Sequence, residues 1–313
     1  MIRKGFAFAV ATFAMVVSAA VAPTPAPATQ ATRIAAVGDI ACKHLPSNNH
    51  QACQYDDVAA AIARGNYDRF LALGDIQYEY GEYANFVDNY DRYFGRLLPI
   101  TEPVPGNHDY GTPGAHGYYR YFGRIGQEPD GYYSYDLGGW HIIALNSAIC
   151  PAATGCGPGD PQYAWLRSDL AANDSMCTLA YWHHPRWDWL KYQNADWTED
   201  YEWLRSKPFW DLLSAAHADV VLSGHNHNYS RWKPMDANGH ADPAGLRQFI
   251  VGSGGRNLNG FGSKSTKPST FATGWSGGFG FLQLTLHPTS YDWTFMPADG
   301  QPYFVDQGSG SCH

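Results

Sequence analysis

Arg33-Ile34-Ala35-Ala36-Val37-Gly38-Asp39 and Phe70-Leu71-Ala72-Leu73-Gly74-Asp75 are two short apolar runs, and each stops at a Gly-Asp pair. Between them, Asp56 to Arg64 spaces its apolar residues as a helix does, so the stretch predicts a βαβ unit. The pattern recurs at Pro103-Val104-Pro105 before Gly106, at Leu179-Ala180-Tyr181-Trp182 before His183, and at Val220-Val221-Leu222 before Ser223-Gly224. Helices are predicted over Glu82 to Leu97, Pro161 to Ala172 and Tyr201 to Ala216, while Tyr132 to Asn146 and Gly277 to Thr294 alternate as hairpins do. No internal repeat is evident, and the mixture predicts an α/β fold of packed sheets flanked by helices.

In such folds the strand ends converge on one edge, and the loops beyond them are free to carry chemistry. Those loops hold Gly38-Asp39, Gly74-Asp75 with Tyr78, Gly106-Asn107-His108-Asp109, His183-His184-Pro185 and Gly224-His225-Asn226-His227. A Gly-Asp turn alone is weak evidence, because Asp often ends strands and caps helices, and the same caution covers Asn107. His225 and His227 stand two residues apart, a spacing that on extended backbone turns both rings to one side; a pair of surface loop histidines is the plain alternative. The ordered combination points to metal. Carboxylate, amide oxygen, imidazole and phenol form a donor set suited to iron, zinc or manganese rather than copper(I) or calcium. Two such cations about 3.5–4 Å apart clamp a phosphate and stabilise both oxygens of an in-line displacement, so the expected chemistry is phosphoester hydrolysis.

The formal charge of −8, with no basic cluster, argues against nucleic acid as the main partner and leaves a small phosphorylated substrate at a metal site. Met1-Ile2-Arg3-Lys4, an apolar run from Gly5 to Ala22 and the small residues near Ala26-Pro27-Ala28 read as a cleaved secretory signal over residues 1–28. A membrane anchor is the alternative reading of the run, but it is barely long enough to span. After a short linker at 29–32, residues 33–313 read as one domain, and export places the protein outside the cell. Six cysteines suit an oxidising compartment. The expected pairs are Cys42 with Cys53 and Cys150 with Cys156, closing short loops, and Cys177 with Cys312, tying down the C-terminus; free buried thiols are the alternative.

The ordered motifs resemble the calcineurin-like metallophosphoesterase superfamily and, within it, the purple acid phosphatases. Two residues decide the branch. Asp39-Ile40-Ala41 lacks the metal-binding His of the Asp-x-His motif in the Ser/Thr-phosphatase branch, whereas Gly74-Asp75-Ile76-Gln77-Tyr78 fits the Gly-Asp-x-x-Tyr of the purple acid phosphatases. Over roughly Arg33 to Gln301 the resemblance implies a four-layer α/β/β/α sandwich of two mixed β-sheets. It implies that Asp39, Asp75, Tyr78 and His227 hold Fe(III), and that Asp75, Asn107, His183 and His225 hold Fe(II), Zn(II) or Mn(II), with Asp75 bridging. His108 matches the family residue that contacts substrate, and His184 is a second catalytic candidate; between adjacent His183 and His184 the family spacing favours His183 as ligand. The reaction implied is attack of metal-bound hydroxide on a phosphomonoester. A phosphodiesterase or nucleotide-pyrophosphate hydrolase of the same superfamily is the alternative, and a non-catalytic phosphate- or partner-binding protein a more distant one. Arg186 and Trp187 are either mouth residues or a packed pair. Ala41 replaces the usual Gly and Cys42 follows at once, so a differently shaped first loop is expected, and the short stretch before Asp39 suggests the compact form without an extra N-terminal β-domain.

Overall fold

The computed structural model describes residues 1–2, 5, 31–43, 53–123, 130–189, 204–262 and 266–313. The expected signal segment lies almost entirely outside the described residues. The chain opens as read, with strand β1 (Thr32–Val37), a helix (Tyr55–Arg64) and strand β2 (Arg69–Leu73), the two strands pairing in parallel. β1 begins at Thr32, one residue into the expected linker. β3 (Thr101–Val104) extends the parallel set. On the other side of β1 come β11 (Gly280–His287), β12 (Ser290–Pro297) and β13 (Gln307–Ser311), all antiparallel.

The second sheet is also mixed. β4 (Tyr133–Leu137) and β5 (Trp140–Ala144) form the expected hairpin, followed in parallel by β6 (Cys177–Tyr181), β7 (Val220–Ser223) and β9 (Arg247–Val251). β8 (Tyr229–Trp232) and β10 (Phe271–Trp275) complete its far edge.

Alternation along the strands assembles the layers. Ile142, Leu179, Val220 and Leu222 point from the second sheet into a core shared with Ile34, Ala36, Leu71 and Leu282 of the first. Their neighbours Ile143, Ala180 and Val221 point the other way, against Leu166, Phe209, Trp210 and Leu213 of two helices (Pro161–Ala172 and Lys207–Ala215). Val58, Ala59 and Ile62 of the first helix cover the opposite outer face. The result is the expected α/β/β/α sandwich.

Two helix expectations needed revision. The 82–97 stretch is a broken run: Tyr83–Asn85 is helical, Phe86–Tyr90 is a π-turn, Asp91–Phe94 is helical, and Gly95–Ile100, which contains Pro99, tightens into a 3₁₀ helix. Aromatic packing shapes the break, since Tyr90 and Phe94 stack with ring centroids 5.0 Å apart and Phe86 meets Tyr121 at 5.2 Å. The helix expected over 201–216 runs from Lys207 to Ala215, with Pro208 in its first turn, where a missing N–H costs nothing; residues 201–203 lie outside the described set. All three expected disulfides form, Cys42–Cys53, Cys150–Cys156 and Cys177–Cys312.

His141 on β5 ties the hairpin to a helix. Its Nδ1 lies 2.9 Å from Asp136 Oδ1 on β4, and its Nε2 lies 2.9 Å from Asp169 Oδ2 on the Pro161–Ala172 helix. Two acceptor carboxylates require a proton on each ring nitrogen. Burial opposes that charge, but the Asp169 and Asp136 hydrogen bonds outweigh it and raise the His141 pKa. A raised imidazole pKa gives stability that is full below the unfolded value of about 6.5 and is lost as pH climbs through the folded one. Replacing His141 with Gln should therefore cost about 1–2 kcal/mol at pH 6, discounted because Asp136 is mostly exposed, and clearly less at pH 9. Denaturant melts of both proteins at the two pH values measure the difference.

Candidate metal centre

The ends of β1, β2, β3, β6 and β7 place Asp39, Asp75, Asn107, His183 and His225 along one edge of the sandwich, with His227 just before β8. The first two loops are locked together by main-chain bonds. Asp39 N donates to Gly74 O, Ile40 N to Asp75 O, Ala41 N to Ile76 O, and Tyr78 N to Ala41 O. Ala41 is thus a buried rung of this ladder, at the position where the other branch carries a metal-binding His.

Close approach dictates the glycines. Gly74 has φ +81°, and a Cβ there would sit 2.7 Å from His183 Nδ1; a Cβ on Gly106 would run into Asp75 Oδ1. Asp39, Asp75 and His225 themselves adopt positive φ (59°, 48° and 68°), unusual for residues with side chains and frequent where function holds the backbone.

Each of these carboxylates has one oxygen on a main-chain N–H and the other on the centre. Asp39 Oδ2 accepts from His225 N at 2.7 Å, and Asp75 Oδ1 accepts from His108 N at 2.7 Å. Asp39 Oδ1 and Asp75 Oδ2 then lie 2.9 and 3.1 Å from the Tyr78 hydroxyl, which also sits 3.0 Å from His227 Nε2. Asp75 Oδ2 faces a second group as well: it is 3.2 Å from His183 Nε2, which is 3.2 Å from Asn107 Oδ1, itself 3.2 Å from His225 Nδ1.

The ring tautomers follow from the far nitrogens. His227 Nδ1 lies 2.7 Å from the Asn257 carbonyl and His183 Nδ1 lies 2.8 Å from the Leu73 carbonyl. Carbonyls only accept, so in each neutral ring Nδ1 carries the proton and Nε2 presents a lone pair inward. The Tyr78 hydroxyl, with one proton, is then surrounded by three acceptors. In the second group Asp75 Oδ2, Asn107 Oδ1 and the neutral His183 ring offer lone pairs alone. Lone pairs exceed protons, and a cation is what such a cluster fits. The spacing agrees: donors at right angles around an ion about 2.1 Å away stand about 3 Å apart. Asp39, Asp75 and His183 bring their donor atoms within 4.8 Å of one another, and so do His183, His184 and His225.

Electrostatics carries the same message. Burial opposes charge on His183, yet the Asp75 carboxylate raises its pKa to about 9, as though a proton were filling the missing positive charge. Burial, with Asp39 and Asp75 beside it, holds the Tyr78 phenol well above its usual value.

The two catalytic candidates sit differently. His108 Nδ1 is 2.6 Å from the Glu79 carbonyl, which leaves Nε2 facing Asp75 Oδ2 at 3.9 Å. His184 donates its main-chain N–H to Ser147 Oγ, and that hydroxyl lies 2.9 Å from His184 Nδ1. The Ser147 hydroxyl therefore bridges the His184 main chain and its ring. Burial and the neighbouring His225 and His183 push the His184 pKa well below its usual value, so the ring is held neutral beside the cluster. Arg186 is buried, with its guanidinium 3.9 Å over the Trp187 ring, which favours the packing reading of that pair.

Two contributors escaped the sequence reading. Ser147 lies in a loop without a motif. Asp109 was visible inside Gly106-Asn107-His108-Asp109 but carried no assigned part; it is fully buried and accepts from the N–H groups of Ile76, Gln77 and Gly106.

A family model of calcineurin-like phosphoesterases matches residues 32–229. The chain belongs to that family. Its curated relatives include purple acid phosphatases: purple acid phosphatase 21 of Arabidopsis thaliana is 31% identical over 228 residues, covering 67% of this chain and 48% of the relative. Purple acid phosphatase 15 of the same plant is 25% identical, over 74% of this chain and 47% of its own. The chain thus spans about half the length of the curated relatives it matches. Among solved structures, purple acid phosphatase PPD1 from yellow lupin seeds superposes with a TM-score of 0.69 at 19% identity, covering 90% of this chain and 54% of the other, which establishes the shared fold.

Asp109 tests how the centre is held. Burial and the nearby Asp75 raise its pKa to about 7, and its two oxygens gather three N–H groups from the loops carrying Asp75 and Asn107. Asp109→Asn keeps the size and loses one acceptor oxygen. Metal affinity, measured by titrating the metal-free protein with Zn(II) or Mn(II), should fall about 10- to 100-fold.

Proposed function

We propose that this chain is a secreted phosphatase whose single catalytic domain, residues 33–313, hydrolyses small phosphomonoesters at a dinuclear metal centre. The observation that carries the reading is the surplus of lone pairs around Tyr78 and Asp75 Oδ2. In this proposal Asp39, Asp75, Tyr78 and His227 hold one ion, expected to be Fe(III). Asp75, Asn107, His183 and His225 would hold the other, Fe(II), Zn(II) or Mn(II), with Asp75 shared between the two. The ions, when bound, supply charge to clamp the phosphoryl oxygens and acidify water.

The chain's own residues do the rest. The carbonyls of Leu73 and Asn257 fix the tautomers of His183 and His227. The Glu79 carbonyl holds the proton on His108 Nδ1 and turns Nε2 to the centre, the position from which the ring, when Nε2 is protonated as well, would give that proton to the departing alcohol. His184, kept neutral by burial and the neighbouring imidazoles and anchored by Ser147, would, in the tautomer protonated on Nε2, donate a hydrogen bond to a phosphoryl oxygen. Three disulfides support export, because such bonds persist in oxidising compartments. Among the described residues no helix is long and apolar enough to cross a membrane.

The experiment is phosphate release from an aryl phosphomonoester and its matching diester, with and without a strong chelator. Chelator-sensitive turnover that favours the monoester supports the proposal. A diester preference would move the chain to the other reaction class, and no turnover in a metal-loaded sample would leave a binding protein. Two variants sharpen the assignment. His108→Ala should lower kcat about 10²- to 10⁴-fold with bound metal retained. Iron-loaded Tyr78→Phe should lose the visible phenolate-to-Fe(III) band, and an unchanged band would remove Tyr78 from the centre.

A further inference from the structure

A recess of about 510 Å³ opens beside the centre, lined by Asn257, Leu258, Ser276, the rest of the 276–279 turn, and Gln301. That volume falls within the range of small-molecule sites. Recess and centre share a wall. The main-chain carbonyl of Asn257 holds His227, Asn259 N donates to His227 O, and Arg256 N donates to Asp39 O, so the 256–259 segment that borders the recess also grips two cluster residues.

The lining is largely polar, with Leu258 and Phe279 as its apolar members, and carries no charge. It offers the Asn257 amide, the Ser276 hydroxyl, glycine backbone at 277 and 278, and Gln301. Gln301 Oε1 accepts from Phe279 N at 3.1 Å, which fixes the turn and leaves the amide NH₂ as a donor. The cation next along the chain, Arg256, is engaged elsewhere: its Nη2 lies 2.7 Å from Glu79 Oε1 and its guanidinium lies 5.0 Å from the centre of the Tyr78 ring. A second phosphate on the leaving group would find no charged partner in the recess. Amides, a hydroxyl and bare backbone instead match neutral hydroxyl groups.

We propose that this recess receives the alcohol of the ester, and that the preferred alcohol is uncharged and hydroxyl-bearing, such as a sugar or another polyol. The assignment rests on the phosphatase reading for the ester and on the recess itself for the alcohol.

Two measurements separate those supports. The first is kcat/KM for glucose 6-phosphate, phenyl phosphate and ADP. In Ser276→Trp, which fills the recess, the ratio of glucose 6-phosphate to phenyl phosphate should fall about tenfold or more. In Ser276→Lys, which adds a cation, the ratio of ADP to glucose 6-phosphate should rise by a similar factor, and this variant decides if the Trp protein fails to fold. Ratios unchanged in folded variants overturn the proposal. The second is saturation-transfer NMR with methyl glucoside, which needs no turnover: wild type should show transfer and Ser276→Trp should not. Equal transfer in both overturns the recess, whereas transfer lost in Ser276→Trp with no ester hydrolysed upholds the recess and removes the phosphatase reading.

Discussion

Two carboxylates, a phenol, an amide oxygen and three imidazoles converge with more lone pairs than protons, and the rest of the structure is organised around tolerating that. Left alone, acceptors about 3 Å apart in a buried place repel and draw in protons. The fold answers partly with its own backbone. Asp39, at the end of a strand in one sheet, is held by the main-chain N–H of His225, at the end of a strand in the other. A single carboxylate therefore fastens the two sheets at their common edge while still turning one oxygen to the centre. Asp75 does the same with His108 N, and Asp109, with no oxygen to spare for the centre, collects N–H groups from both adjoining loops.

Positive φ at Asp39, Asp75 and His225 costs about 1–3 kcal/mol per residue, which local turn preferences alone would not bear. What offsets it is the ladder between residues 39–41 and 74–78, which extends the sheet past its formal end and leaves the loops no alternative path. Disulfides reinforce the same ground. Cys42 follows the ladder directly, and Cys150 directly follows the short Ser147–Ile149 helix. In the chain-entropy view these short loops, of separation 11 and 6, contribute about 2–3 kcal/mol each, against about 5 kcal/mol for Cys177–Cys312 with separation 135. The short bridges thus act chiefly on the site loops, and the long one acts on the whole molecule.

How much of this was legible depended on whether a signal was local. The βαβ opening, both hairpins and the Pro161–Ala172 helix were readable, because apolar period and flanking residues agreed with what formed. β13 was not: Gln307-Gly-Ser-Gly-Ser has no apolar face, and it is a strand because β12 offers an edge and Cys312 is anchored to Cys177. The broken 83–100 run was missed for a related reason, since the stacking of Tyr90 on Phe94 is a tertiary fact that helical spacing does not reveal. In the centre, residue types in order were enough to name the donors. The tautomers were not readable, because they depend on main-chain carbonyls at Leu73 and Asn257 that any residue could supply.

The Asn257 carbonyl also shows what lies beyond the family match. Every proposed donor falls between residues 39 and 227, inside the matched segment of 32–229. The chain after it still shapes the centre. Asn257 O sets the His227 ring, Arg256 N holds the Asp39 main chain, and β11 pairs along the whole of β1, the strand that delivers Asp39. Removing that part would leave the donors in the sequence but free His227 to rotate and expose β1 as an edge. A site built this way has its chemistry in one stretch of chain and its precision in another, and substitutions in the later stretch act on the centre without touching any donor.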